Sequence, residues 1–220
     1  MRTSLFTFII ILFLGGIFAL NLAAQDQKTI SLPAPQTDGG VPLMKALKNR
    51  QTSREFNDRK LPDQVMSNLL WAAWGVNRND AKKRTAPSAM NKQEIDIYIS
   101  TAEGVFIYDA FKNSLLLISN EDVRAKTGLQ DFVKTAPVNL VFVADFSKMG
   151  TSSNPDKEKY AYADAAFISE NVYLFCASEG LSTGVRANID KESCAKALKL
   201  KPDQHVILGQ AVGYPKEKTK

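Results

Sequence analysis

Apolar residues recur along this chain at several different spacings, and each spacing predicts an element. Strict alternation over Ile95-Asp96-Ile97-Tyr98-Ile99 sets three isoleucines on one side and predicts a half-buried strand. Val105–Tyr108 and Leu115–Ile118 read as its antiparallel neighbours, with turns at Gly104 and at Lys112-Asn113. Val138–Ala144 is a valine-rich apolar run, the pattern of a central strand covered on both faces.

Helical spacing marks Leu43–Asn49, entered through Pro42, and a second helix from Pro62 to near Gly75 with Val65, Met66, Leu69, Leu70 and Ala73 on one stripe. Trp71 and Trp74 fall on that helix and are expected in the core. Glu121–Thr127 reads as a short helix closed by Gly128. The longest helix runs from about Lys157 to Ser178, and its apolar positions (Tyr160, Ala161, Ala165, Phe167, Ile168, Val172, Leu174, Phe175, Cys176) wrap most of the way round. A helix without a wet face lies centrally or in a subunit interface. Gly180 ends it, Leu181–Ala187 runs extended, Asp190 caps a helix Lys191–Leu198, and His205–Tyr214 forms a last strand. The fold class is therefore α+β: a mixed, largely antiparallel sheet flanked by helices.

The first 40 residues follow different rules. Arg2 precedes an uncharged run from Leu5 to Leu20, then Ala23, Ala24 and polar Gln25-Asp26-Gln27, the layout of a signal peptide over residues 1–24. An uncleaved membrane anchor over residues 5–20 is the second reading of that run. Export, to the periplasm, is the expected localisation. Residues 25–40, with Pro33, Pro35, Gly39 and Gly40, read as a linker or extended arm, leaving 41–220 as one domain.

Composition narrows the chemistry. Cleavage after Ala24 removes one cation, Arg2, and lowers the net charge from +5 to +4, with basic residues scattered among acidic ones. That excludes a nucleic-acid partner, which needs a basic face with interleaved aromatics. Two cysteines (Cys176, Cys194) and one histidine (His205) are too few for a zinc or nonhaem iron site. Buried free thiols are a commoner outcome than a bridge for two cysteines in apolar helical surroundings.

Three polar segments stand at element ends, where binding residues concentrate. Arg50-Gln51-Thr52-Ser53-Arg54 offers two guanidinium forks with hydroxyls between them, suited to a phosphate or to a heteroaromatic edge bearing carbonyls, or alternatively to a solvated helix end. Arg84 to Gln93 supplies Ser88, a backbone shaped by Pro87, and the amides of Asn91 and Gln93. The third segment is Gly180 to Asp190.

Taken in order, these segments resemble the nitroreductase family of FMN enzymes from about Leu43 to Pro215. The family's first signature matches Arg50, Thr52, Arg54 and Phe56, its second Pro87, Ser88, Ala89 and Asn91, and its third the Gly-Leu step at Gly180; Val212-Gly213-Tyr214-Pro215 matches its last strand. The resemblance implies an intertwined homodimer with FMN at the interface. Arg50, Gln51 and Thr52 would hold the phosphate or ribityl chain, with Lys216 and Lys218 as further phosphate partners, and Arg54 would face the pyrimidine edge. Pro87, Ser88 and Ala89 would contact the ring, and Asn91 would reach it across the subunit boundary. Arg186, Ala187 and Asn188 would contribute from the third segment, although the best-known members carry a glutamate-glycine pair where Ala187 and Asn188 stand. Branches with thiazoline-oxidising members carry an arginine at the position of Arg186.

The activity so implied is hydride transfer from the flavin N5 to electrophilic small molecules such as nitroaromatics or quinones, with no catalytic side chain and no metal. A noncatalytic flavin-binding or redox-partner protein of the envelope is the alternative. The electron donor is either NAD(P)H or a membrane redox partner.

Overall fold

The computed structural model describes residues 28–217. The signal-peptide reading at 1–24, the first residues of the 25–40 segment and Lys218 fall outside them. In chain order the elements are β1 (Thr29–Ser31), α1 (Leu43–Asn49), α2 (Asp63–Trp74), β2 (Val76–Arg78), β3 (Lys83–Arg84), β4 (Ile95–Thr101), β5 (Gly104–Asp109), β6 (Ser114–Ser119), β7 (Val138–Asp145), α3 (Asn154–Glu179), β8 (Ser182–Arg186), α4 (Lys191–Ala197) and β9 (Gln204–Gly213). Seven strands form one sheet in the order β1-β6-β5-β4-β7-β9-β8, and β2 and β3 pair as a separate ribbon.

Each pairing among the described residues is antiparallel, so the sheet expected as mixed is uniformly antiparallel. The alternation that predicted β4 determines its two faces. Ile97 and Ile99 pair with Phe142 and Leu140 of β7 and face a core shared with Leu69 and Leu70 of α2 and Ala165, Ile168 and Val172 of α3. Tyr98 pairs with Val141 and faces the opposite core, closed by Val143, Val206, Cys194 and Leu198. β7 is buried from Val138 to Ala144, with Asn139 its one polar residue there, because both of its faces are covered, and burial of each large apolar side chain contributes about 1.5–3 kcal/mol.

The helix α3 is longer than its apolar pattern suggested because Ser153 caps it, its hydroxyl accepting from Asp156 N, and Pro155 lies in the first turn. It ends at Gly180, whose φ of 69° is the left-handed closure that glycine adopts freely. One small-residue stripe, Ala161, Ala165, Ile168, Ser169, Val172 and Cys176, sits against the sheet, while Phe167 on another side is half exposed. On α1 the side chains of Leu43, Met44 and Leu47 are exposed as well.

Two expectations change and one holds. Over 28–40, of the two readings, the chain is an extended arm rather than a linker. Thr29–Ser31 adds an edge strand to β6, Leu32 is buried, and the Pro33 carbonyl accepts from Ser67 Oγ (2.6 Å) and Asn113 Nδ2 (2.7 Å). Glu121–Thr127 is not a helix: a 3-10 turn covers only Arg124–Lys126, because Asp122 Oδ1 takes the Arg124 N–H (3.1 Å) that would propagate one. Cys176 and Cys194 are free and lie in the cores on opposite faces of the sheet, which excludes a bridge. Trp74 is core, its indole donating to Ile95 O at 2.8 Å.

Candidate functional site

At the end of α1, Arg50 still donates its N–H to Ala46 O, but its φ and ψ of −58° and 121° turn the chain extended. Residues 50–56 then run along the outer edge of β8. Ser53 N donates to Thr183 O (2.8 Å) and Ser182 Oγ to Ser53 Oγ (3.2 Å). The close approach needs Gly184, where a Cβ would stand 3.1 Å from Ser53 O and 3.4 Å from Thr52 Cγ2. Thr52 Oγ1 shares a hydrogen bond with Tyr173 Oη at 2.9 Å, and that phenol also accepts the Val185 N–H at 3.0 Å. The first and third segments are thereby held together, through α3.

The last strand joins them. Phe56 bridges Pro215, Asn57 N donates to Tyr214 O (3.0 Å) and Asn57 Nδ2 to Pro215 O (3.2 Å), which brings Lys216 alongside residues 54–57. Gln51 and Tyr173 line a concavity of about 240 Å³ with Ser182, Thr183 and Pro215. Arg50 lies over the Tyr173 ring at 5.4 Å, and among the described residues neither Arg50 nor Arg54 has a carboxylate partner. Exposed guanidiniums, a hydroxyl held in place and an amide on one sheet edge suit an anion attached to a planar, hydrogen-bonding ring.

The second segment stands elsewhere on the subunit. Arg84 does not face a ligand: its Nε donates to Gln93 Oε1 (2.8 Å), its Nη1 to Trp74 O (3.1 Å), and its guanidinium lies over Trp74 and Phe111. Gln93 in turn donates to Lys82 O and takes part in the turn through its own N–H to Ser88 Oγ (3.1 Å). Met90, Asn91 and Gln93 all adopt left-handed φ, 51°, 54° and 49°. Pro87, Met90 and Asn91 are exposed, with Ser88 and Ala89 half-buried below them. The loop is tied to α3 by Ala89 N donating to Asp164 Oδ2 at 2.8 Å. Asp164 and Tyr173 are nine residues apart, about 13 Å along the helix. Within one chain the two segments are thus tethered at different levels of α3.

Arg186 does not join this surface, contrary to the expectation from the sequence. It is 5% exposed, donating from Nε to Thr127 O (3.0 Å) and from Nη2 to Thr127 Oγ1 (2.9 Å) and Asn139 Oδ1 (2.8 Å). Its Nη1 has no partner among the described residues, and burial lowers its pKa to about 10. Ala187 and Asn188 are exposed just beyond β8, with the Asn188 carbonyl accepting from Leu129 N at 3.2 Å. His205 stacks on Phe146 at 4.2 Å at the start of β9. Burial raises the Cys194 thiol to about 12 and the Cys176 thiol further, so neither is a nucleophile. No cluster of metal-ligating side chains occurs among the described residues, and no helix among them is long and apolar enough to cross a membrane.

Sequence reasoning passed over three residues. Tyr173 falls outside the apolar positions read on α3, yet its hydroxyl positions Thr52. Asp164 lies within the buried stripe of α3, where a carboxylate among alanines is itself the signal of a role. Glu94, just before β4, is fully buried, and burial next to Asp164 pushes its carboxyl up to about 7.

The chain matches the model of the nitroreductase family over residues 47–214. A relative from Methanocaldococcus jannaschii, described like the next as a putative nitroreductase, is 28% identical over 199 residues, which is 86% of this chain and 97% of the relative. A crystal structure from Ralstonia eutropha JMP134 is 39% identical, with a TM-score of 0.83 over 87% of this chain and 91% of that one. An FMN-dependent nitroreductase from Clostridium difficile R20291 shares the fold at 18% identity, with a TM-score of 0.56 over 80% of this chain and 90% of that one.

Proposed function

Because the chain belongs to the nitroreductase family, a family of oxidoreductases, we propose that it binds FMN and passes hydride to electrophilic small molecules such as nitroaromatics or quinones. The observation that carries this reading is the convergence of residues 50–56, β8 and the end of β9 on one sheet edge, with Arg50 and Arg54 exposed and without a carboxylate partner among the described residues. When bound there, the flavin supplies the hydride chemistry at its N5, and the protein supplies position and electrostatics.

In this reading Arg50, Gln51 and Thr52 hold the phosphate and ribityl chain, with Lys216 and Lys218 completing the positive end. Tyr173 keeps the Thr52 hydroxyl in place, and Arg54 puts a positive charge against the pyrimidine edge, where it favours the anionic reduced ring. Pro87, Ser88, Ala89 and Asn91 come from a second subunit. The separation of the two segments within one chain supports a homodimer, as do the exposed Phe167 of α3 and Leu43, Met44 and Leu47 of α1. Arg186 acts from inside the protein, as a buried cation, and Ala187 and Asn188 offer backbone groups.

Residues 1–24 are read as a leader, which places the mature protein outside the cytoplasm. NAD(P)H is a cytosolic reductant, so an exported enzyme takes electrons from a membrane redox partner; a chain that keeps to the cytosol takes them from NAD(P)H.

The test is the spectrum and reoxidation of the purified full chain. A flavin spectrum with FMN identified by mass, and reoxidation accelerated by nitroaromatic or quinone acceptors, is the expected result. Reoxidation at the oxygen background with every acceptor leaves a noncatalytic flavin carrier, and a colourless protein that takes up no added FMN overturns the reading.

A further inference from the structure

The loop 88–91 is held in a conformation that its own residues disfavour, and its tether to α3 is a buried carboxylate. Met90, Asn91 and Gln93 are left-handed without being glycine. The turn's own backbone bonds (Asn91 N on Ser88 O, Lys92 N on Ala89 O) and the bonds of Gln93 to Ser88, Asn91, Lys82 and Arg84 shape it, and Ala89 N on Asp164 Oδ2 (2.8 Å) ties it to α3. Asp164 is 2% exposed and Glu94 is fully buried beside it. Neither Glu94 oxygen meets a donor among the described residues. The charged groups that face Glu94 are Asp164, from α3, and Lys148, from the turn after β7. The Lys148 ammonium is already bound to Asp96 Oδ1 at 2.8 Å. Two adjoining buried carboxylates, acceptors only when ionised, leave orphaned lone pairs and a like-charge contact; one proton between them removes both problems.

We propose that Glu94 and Asp164 share a single proton, and that this proton locks the 88–91 loop in the shape presented to the cofactor. With the proton in place, Asp164 is held between Glu94 and the Ala89 amide. When it leaves, two negative charges meet in a dry site, Asp164 turns away, and the left-handed residues relax. Glu94 and Asp164 are positioning residues, since neither reaches the surface where the ligand would lie. The idea rests on the flavin reading only for its consequence; the lock itself belongs to the protein alone.

The experiment is hydrogen exchange of the peptide containing Ala89 to Gln93 in the flavin-free full chain, from pH 5.5 to 8.5, corrected for the intrinsic pH dependence of exchange. Wild type should lose at least tenfold of its protection across that range. Glu94→Gln, whose amide donates to Asp164 at every pH, should keep it, and so should Asp164→Asn, which still accepts from Ala89 N and donates to Glu94. Corrected protection in wild type that does not change with pH overturns the lock, as does the same loss in wild type and both variants. FMN titrations at the two pH extremes separate the two ideas. A loop that switches in a chain that never binds FMN sinks the flavin reading and keeps the lock. FMN bound by a loop that does not switch does the opposite.

Discussion

At Gly128 and Gly209 a missing side chain makes room for one guanidinium. A Cβ on Gly128 would stand 2.5 Å from Arg186 Nε, and one on Gly209 would stand 3.1 Å from Cζ. Arg186 fits there without a carboxylate, held by Thr127 and Asn139. Gly128→Ala should push the guanidinium off these acceptors and destabilise the protein by about 2–4 kcal/mol, read from urea denaturation. A change within about 0.5 kcal/mol would mean that the arginine repacks at little cost. At the sheet edge, Arg54→Ala should weaken FMN binding by at least about tenfold, the scale of one charge-assisted contact, and His205→Ala should not; equal titration curves for the two would remove Arg54 from the site. Arg50, Thr52 and Arg54 stood out in the sequence because they place hydroxyls between forked cations at a helix end. The burial of Arg186 was not legible, because a sequence shows a charge and not the two glycines, far along the chain, that make room for it.

Elements were legible where period and length agreed. The alternation of β4, the apolar run of β7 and the stripe of α2 each appeared where the pattern put them. β1 was hidden because three residues, Thr29-Ile30-Ser31, carry no period; what makes them a strand is the open edge of β6. Its contribution can be measured. A chain starting at Pro35 should be about 2–4 kcal/mol less stable than one starting at Lys28, since the core loses the apolar cover that Ile30 and Leu32 provide. If the two chains denature at the same urea concentration, the arm is decoration. Glu121–Thr127 failed as a helix for a local reason, an aspartate side chain competing for the first backbone donor.

On the scale of the whole molecule, the two candidate segments are tethered at different levels of α3, and the proposed site takes its second segment from another copy. Phe167→Asp combined with Met44→Asp should convert a dimer into monomers in light scattering and lower flavin retention with it. Dimers that persist unchanged would place the contact elsewhere. The subunit also carries a proton-linked term in its stability. Glu94 titrates near 7 in the folded chain against 4.5 in the unfolded one, so the folded state keeps a proton that the unfolded state has released. Stability therefore falls as pH rises through that window, by at most about 1.4 kcal/mol for each unit of pKa difference, and levels off above it. Glu94→Gln should flatten the curve between pH 5 and 7.5 relative to wild type. Parallel curves would show that the titration of Glu94 is ordinary.

The two free thiols divide the molecule in a way that can be used. Cys176 is sealed in the layer between the sheet and the long helices, and Cys194 in the layer beneath α4 on the other side. Each is thus a built-in reporter of one half of the interior. Under pulse alkylation at rising denaturant, mass spectra that pass directly from no label to two mean that both layers open as one unit. A singly labelled species, mapped to one cysteine or the other, tells which wall of the sheet gives way first.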